Sequence, residues 1–318
     1  MKQLWISLKP YLRWAILGGT LFFVAKVLKD NWQEVAATRL DPGGWIFLIA
    51  ALVVTLAAHT WAGCVWGWIL RDLYQSVRTP WAIRVYLKTN IAKYLPGNVW
   101  HYYGRIAAAK TIGISLSTAA LSVLLEPLLM AAAALLLILV GSQQSWTKMQ
   151  GVLHGLSIVG VVGLVSGLVV IHPRVLNPLM RFWSRLKAKA THGFPADAST
   201  SYIRCYPLKP LMGELVFLSL RGAGFFCTLL AFSVIQPSQV ILVLTTFSLA
   251  WFLGLVLPGA PGGIGVFEAA AIALLDKSFS PGIVLTTVAL YRLLSILAET
   301  LGAGLVCLEE RYLMHPVD

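Results

Sequence analysis

Long apolar stretches, each bounded by charged or Pro/Gly-rich segments, dominate this chain. Seven of them, at about 11–28, 44–70, 117–141, 152–171, 211–235, 239–257 and 282–308, approach or exceed the roughly 20 residues that a helix needs to cross about 30 Å of hydrocarbon. Two further segments break the pattern. Residues 81–110 interleave Trp81, Tyr86, Trp100, Tyr102 and Tyr103 with Arg84, Lys88, Lys93, Arg105 and Lys110, a mixture suited to the membrane interface or to a shallow re-entrant excursion. Residues 264–276, IGVFEAAAIALLD, are too short to cross alone and follow the sequence PGAPGG, which predicts a half-helix. The pattern therefore predicts an all-α polytopic membrane protein of seven to eight transmembrane helices with two broken or re-entrant segments. If the half-helix completes a crossing, there are eight spans and the C-terminus is cytoplasmic.

Each irregular segment contains Leu-Pro-Gly: Leu95-Pro96-Gly97 in the first and Leu257-Pro258-Gly259 at the start of the second. Proline removes a backbone donor and glycine loosens the chain, so a break here frees polar groups that hydrocarbon cannot satisfy. Such groups persist only when packed in protein or facing a watery cavity, and paired breaks in two halves point to a transporter's binding site. The segment 172–210, with Pro173, Pro178, Pro195, Pro207 and Pro210, reads as a linker. It divides a single integral membrane domain, 1–318, into halves at 1–171 and 211–318 with one break each, and an internal repeat is one explanation of that arrangement.

A composition of 58% hydrophobic and 12% charged residues with a mean hydropathy of +0.77 excludes a soluble globular domain. The net charge of +12 sits in two places: residues 71–110 hold seven Lys/Arg against Asp72, and 174–209 hold seven against Asp197. Two spans separate these stretches, so both emerge on one face, which the positive-inside rule makes cytoplasmic. Tracing back places the N-terminus, with Lys2, Lys9 and Arg13, in the cytoplasm of a bacterial-type inner membrane. Basic residues beside spans find an anionic membrane surface, not nucleic acid. The apolar run at 11–28 lacks a small-x-small cleavage site and reads as a retained helix. Cys64, Cys205, Cys227 and Cys307 show neither CxxC nor a metal-ligand spacing, so no metal or other cofactor is expected.

Ionisable groups inside spans cost about 2.5–3.5 kcal/mol each on insertion scales, and they mark partners or polar pathways. Glu126, Arg221, Arg292, Glu299 and His59 lie inside predicted spans. Arg292 and Glu299 are seven residues apart, which on a helix places them on one stripe. The bland reading is that such charges neutralise one another as structural pairs. Gly262, Gly263 and Gly265 precede the half-helix, whose free N–H groups would face an anion such as a phosphate headgroup. Glu268 in its first turn either stabilises the helix dipole or meets a cationic or hydroxyl-rich headgroup. Asn98, His101, Tyr102, Tyr103 and Arg105 offer donors and aromatic faces near headgroup level, as an aromatic belt with snorkelling bases would or as a headgroup entry site would. The sequence lacks GxxxxGK[ST] and any supported Ser-His-Asp or Cys-His set, so neither nucleotide binding nor catalysis is expected.

The blocks KYLPGNVWHYYGR at 93–105 and PGGIGVFEAA at 261–270 resemble the two signature blocks of the flippase-like family that includes the transmembrane domain of lysylphosphatidylglycerol synthases. The resemblance implies movement of a polar, charged or aminoacylated lipid between leaflets. With no soluble domain following the last span, it also implies translocation without lipid synthesis. Glu126 and Arg292 fall where that family carries charge downstream of each block. Together these features predict a substrate path lined by Asn98, Tyr102, Arg105, Glu126, Arg221, Gly262, Gly263, Glu268, Arg292 and Glu299, hinged at Pro96, Gly97, Pro258 and Gly259. The expected partners are membrane lipids, anionic, aminoacylated or glycosylated, with a synthase or a second copy as further possibilities. Two other classes use the same features: a small-solute secondary transporter coupled through Glu126 or Glu299, and a non-catalytic membrane partner of a lipid synthase or glycosyltransferase.

Overall fold

The computed structural model describes Lys29, Gln33 and residues 42–95, 99–144, 152–178, 203, 205–257, 265–275 and 278–314, the side chains of 142–144, 152–161 and 313–314 excepted. The predicted first span, 11–28, lies outside the described residues. So do Pro96, Gly97, Asn98, Pro258, Gly259, Gly262 and Gly263.

All regular structure among the described residues is helical. The helices are α1 (Gly44–Asp72), α2 (Thr79–Asn90), α3 (Trp100–Thr111), α4 (Leu116–Gln144), α5 (Val152–Ile171), α6 (Leu208–Leu230), α7 (Pro237–Val256), α8 (Val266–Leu275) and α9 (Pro281–Met314), with a short 3-10 turn at Ile91–Tyr94. Five of them, α1, α4, α6, α7 and α9, are long and apolar enough to cross a membrane. Proline opens α2, α7 and α9 at their first or second positions, where its missing N–H costs nothing and its fixed φ suits the helix. Pro127 lies inside α4, which continues through it.

Side-chain pairings give the helix directions. Arg221 and Gly224 of α6 meet His59 and Thr55 of α1, while Gly213, nearer the start of α6, meets Val65 and Trp68, so the two helices run antiparallel. Phe225 and Phe217 of α6 meet Phe247 and Trp251 of α7 in the same antiparallel sense. Lys209 lies over the ring of Trp68, which puts the start of α6 on the same face as the end of α1. Arg71 and Lys209, one from each basic stretch of the sequence, therefore share a face. One apolar core spans both halves, joining Trp66, Ile69 and Leu125 to Leu218 and Leu249. A second gathers Phe225, Phe247, Phe267 and Tyr291 edge to face, geometry that aromatic quadrupoles favour.

Helices α2 and α3 form a re-entrant hairpin, and it is deeper than the shallow excursion expected from composition. Arg71 donates to Thr79 near the membrane face, a Cβ on Gly67 would meet Ala82, and one on Gly63 would meet Ile83 and Tyr86. At the tip, Asn90 Nδ2 lies 3.4 Å from His59 Nδ1. This ladder carries α2 back along α1 to a point thirteen residues from Asp72, roughly 20 Å at 1.5 Å per residue. Chain approach this close needs Gly63, whose Cβ would stand 2.8 Å from the Ile83 Cα. Helix α3 returns beside α2, with Gly104 against Thr89. The charged faces of 81–110 that suggested an interface instead pair with the last helix: Arg84 with Glu309 and Lys88 with Glu310, each at 2.6 Å.

Helix α8 is the predicted half-helix. Glu268 at its start is level with Arg292 of α9, and Ser278 and Phe279 bond back to its last residue, Leu275, just before α9 begins. Gly265 has φ +90°, a conformation open to glycine at little cost. The pairs at Glu309 and Glu310 join the end of α9 to α2 near the face where α1 ends.

Candidate functional site

The hairpin tip, the start of α8, the last turns of α7 and the middles of α1, α4, α6 and α9 enclose a cavity of about 170 Å³, large enough for several waters. His59, Glu126, Arg221 and Arg292 lie ten to fifteen residues past their helix starts, about 15–22 Å along the axis, and all four line it. Lys93 and Arg292 retain 20% and 22% side-chain exposure, which marks the mouth. The side chains of Arg105 and Glu126, at 2% and 3%, form the floor.

At the floor, Arg105 Nη1 lies 2.5 Å from Glu126 Oε2 and its Nη2 lies 3.5 Å from Asn90 Oδ1. The guanidinium carbon sits 3.7 Å over the Tyr86 ring, and the Tyr86 hydroxyl donates to Glu126 Oε1 at 2.8 Å. A planar, delocalised cation suits this combination of carboxylate and ring face. Pro127 follows Glu126 and removes one intrahelical donor at the cavity wall.

Nearer the mouth a second cluster crosses between the halves. Glu299 Oε1 accepts from Lys93 Nζ at 2.5 Å and lies 3.1 Å from His59 Nε2, which in turn is 3.3 Å from Arg221 Nη1. Arg221 Cζ stands 5.1 Å from the Tyr291 ring, whose hydroxyl donates to the Arg221 carbonyl at 3.0 Å. A third pair closes the opposite wall, with Glu268 Oε1 accepting from Arg292 Nε at 2.9 Å and Nη2 at 2.7 Å. Its other oxygen accepts the Gly265 N–H at 2.5 Å.

Of the residues singled out in the sequence, Tyr102, Arg105, Glu126, Arg221 and Arg292 line the cavity, and Glu299 and Glu268 stand against its cations. The shared stripe on α9 is real, since Arg292 and Glu299 both face inward while Leu293, Leu297, Leu301 and Leu305 are exposed. The two do not pair with each other. Glu268 takes the capping role, satisfying an orphan N–H at the start of α8, and is further engaged by Arg292. Tyr103, 67% exposed, faces away. Asn98, Gly262, Gly263 and the four hinge residues Pro96, Gly97, Pro258 and Gly259 lie outside the described residues. Sequence reasoning missed Lys93 as a cavity residue, along with Asn90, Tyr86, Tyr291 and Ser295. It also missed Glu214, fully buried with neither oxygen partnered among the described residues. The one available signal was Glu214 itself, an acid seven residues before Arg221 in an apolar run.

No group of His, Cys, Asp or Glu among the described residues has metal-site geometry. What the arrangement offers is a charge-lined gap, roomy enough for water, at the depth where apolar helices surround it. A search of curated proteins finds no match. Residues 12–302 match the family described as lysylphosphatidylglycerol synthase TM region, so this multi-pass membrane protein belongs to that family, whose setting is membrane lipid.

Proposed function

We propose that the chain moves a polar or charged lipid headgroup between leaflets through the cavity while the acyl tails stay in the bilayer. One observation carries this reading: four cations and a carboxylate, Lys93, Arg105, Arg221, Arg292 and Glu126, converge on one cavity inside a bundle whose outer faces are apolar. Charged groups at such depth face partners or water, and here they replace part of a headgroup's hydration and lower its crossing barrier. Both re-entrant elements reach the cavity, and the lipid setting of the family favours a lipid over a soluble cargo. In this reading the chain makes and breaks no covalent bond, and the face bearing Arg71 and Lys209 is cytoplasmic.

The test is reconstitution into liposomes carrying fluorescent lipids, with an impermeant quencher reporting the outer leaflet. Wild-type protein exposes inner-leaflet lipid to the quencher, and Arg292→Ala, which strands Glu268, abolishes this. Uptake of soluble solutes without lipid movement assigns the chain to the small-solute class instead. Inactivity of the isolated chain that a co-purified synthase or glycosyltransferase reverses assigns it to a partner role.

A further inference from the structure

Resting on that reading, we infer that the cavity selects an acidic headgroup with a single phosphodiester charge, held by Arg221 together with Lys93, and discriminates against headgroups that add a free ammonium group.

The pairing of charges leads there. Three carboxylates serve the four cations of the lining. Glu126 takes Arg105, Glu268 takes Arg292, and Glu299 takes Lys93. Arg221 is left over. Among the described residues no carboxylate oxygen lies within 4.0 Å of its guanidinium, and it reaches Glu299 only through the His59 ring. It is 7% exposed, its Nε has no hydrogen-bond partner among the described residues, and it lines the cavity. Glu214 is enclosed away from the cavity and in no ion pair with Arg221. A buried guanidinium with donors to spare calls for an oxyanion, and the planar fork matches two phosphate oxygens. Lys93 Nζ, a point donor on the hairpin tip, shares Glu299 with the same cluster and completes a two-cation subsite contributed by both halves.

Among the described residues an ammonium group finds no such vacancy. Glu126 is occupied by Arg105 and the Tyr86 hydroxyl, and Glu268 by Arg292 and the Gly265 N–H. Glu299 Oε2 is unpartnered, but its side chain is 0% exposed behind Lys93 and His59. A headgroup bearing an extra positive charge must therefore break an existing ion pair, whereas a monoanionic phosphodiester completes one.

The experiment offers purified protein an equimolar mixture of phosphatidylglycerol, phosphatidylethanolamine and lysylphosphatidylglycerol and reads the retained lipid by native mass spectrometry. Wild type retains phosphatidylglycerol over each of the others by about tenfold, Arg221→Gln erases the preference, and Arg221→Lys keeps part of it. Equal retention of all three by wild type, or an unchanged preference in folded Arg221→Gln, overturns the inference. Should Arg221→Gln fail to fold, Lys93→Gln at the more exposed mouth replaces it, with a reduced preference expected and an unchanged one overturning. Inorganic phosphate that strips the lipid at matched concentration assigns the subsite to a soluble anion and overturns the lipid source. Arg221-dependent retention without lipid movement in liposomes defeats the translocation reading and leaves the subsite standing. Movement of all three lipids at equal rates does the reverse.

Discussion

Lys93 and Glu299, 206 positions apart in sequence, meet at 2.5 Å, and through them the tip of the first re-entrant hairpin is fastened to the last helix. The carboxylate is 0% exposed and the ammonium 20%, so the pair is only partly screened. Replacing Glu299 by Gln strands Lys93 and leaves the whole Lys93, His59, Arg221 cluster without its anion. Removing one partner of a buried pair costs about 3–5 kcal/mol. Thermal melting of the detergent-solubilised protein should show Glu299→Gln strongly destabilised, and Lys93→Met combined with Glu299→Gln should recover part of the loss. Additive single-variant effects would show that the two residues do not interact.

The floor pair rests on a third group. The Tyr86 hydroxyl occupies the Glu126 oxygen that Arg105 Nη1 does not, and both side chains of the pair are nearly unexposed. Tyr86→Phe removes that bond while keeping the ring under Arg105. A hydrogen bond to a charged group contributes about 1.5–3 kcal/mol, so the melting temperature should fall while the protein stays folded. Lipid movement should fall with it, because Glu126 is then held by Arg105 alone. Unchanged stability and unchanged movement in Tyr86→Phe would place the hydroxyl outside the working site.

The long apolar helices were legible because hydrophobic length alone specifies a span, and the intramembrane charges Glu126, Arg221, Arg292 and Glu299 stood out because hydrocarbon tolerates so few. Lys93 and Tyr86 were not legible as cavity residues. Their neighbourhood carries the aromatic and basic mixture of a membrane interface, and only the approach of α2 to Gly63 and Gly67 takes them inward. That approach is a tertiary contact between residues about twenty apart, which composition does not encode. Pairing was equally hidden: the stripe of Arg292 and Glu299 follows from helical period, but their actual partners, Glu268 and Lys93, come from other elements.

Glu214 is buried beside the Arg105 and Glu126 pair, yet neither of its oxygens is bonded among the described residues. An isosteric amide there removes no ion pair and no hydrogen bond. Glu214→Gln should therefore change stability by less than about 1 kcal/mol, whereas Glu126→Gln, which strands a guanidinium of 2% exposure, should cost several kcal/mol. Melting curves of the two variants side by side make the comparison. Equal destabilisation would mean that Glu214 is a member of the ion-pair network.

Gly63 controls whether the hairpin reaches the cavity at all. A Cβ at this position would stand 2.8 Å from the Ile83 backbone and 3.2 Å from Tyr86 Cβ, and backbone cannot rotate aside as a flexible side chain can. Gly63→Val should force α2 away from α1, at an overpacking cost of about 1–3 kcal/mol. Because Asn90 and Lys93 ride on the same element, the displacement should also loosen the contact with His59 and the pair with Glu299. The coupling between Lys93 and Glu299, measured as a double-mutant cycle, should then shrink in the Gly63→Val background while the long helices remain folded. A full-strength coupling in that background would show that the tip is held from α9 and α3 alone, with α1 serving only as a neighbour.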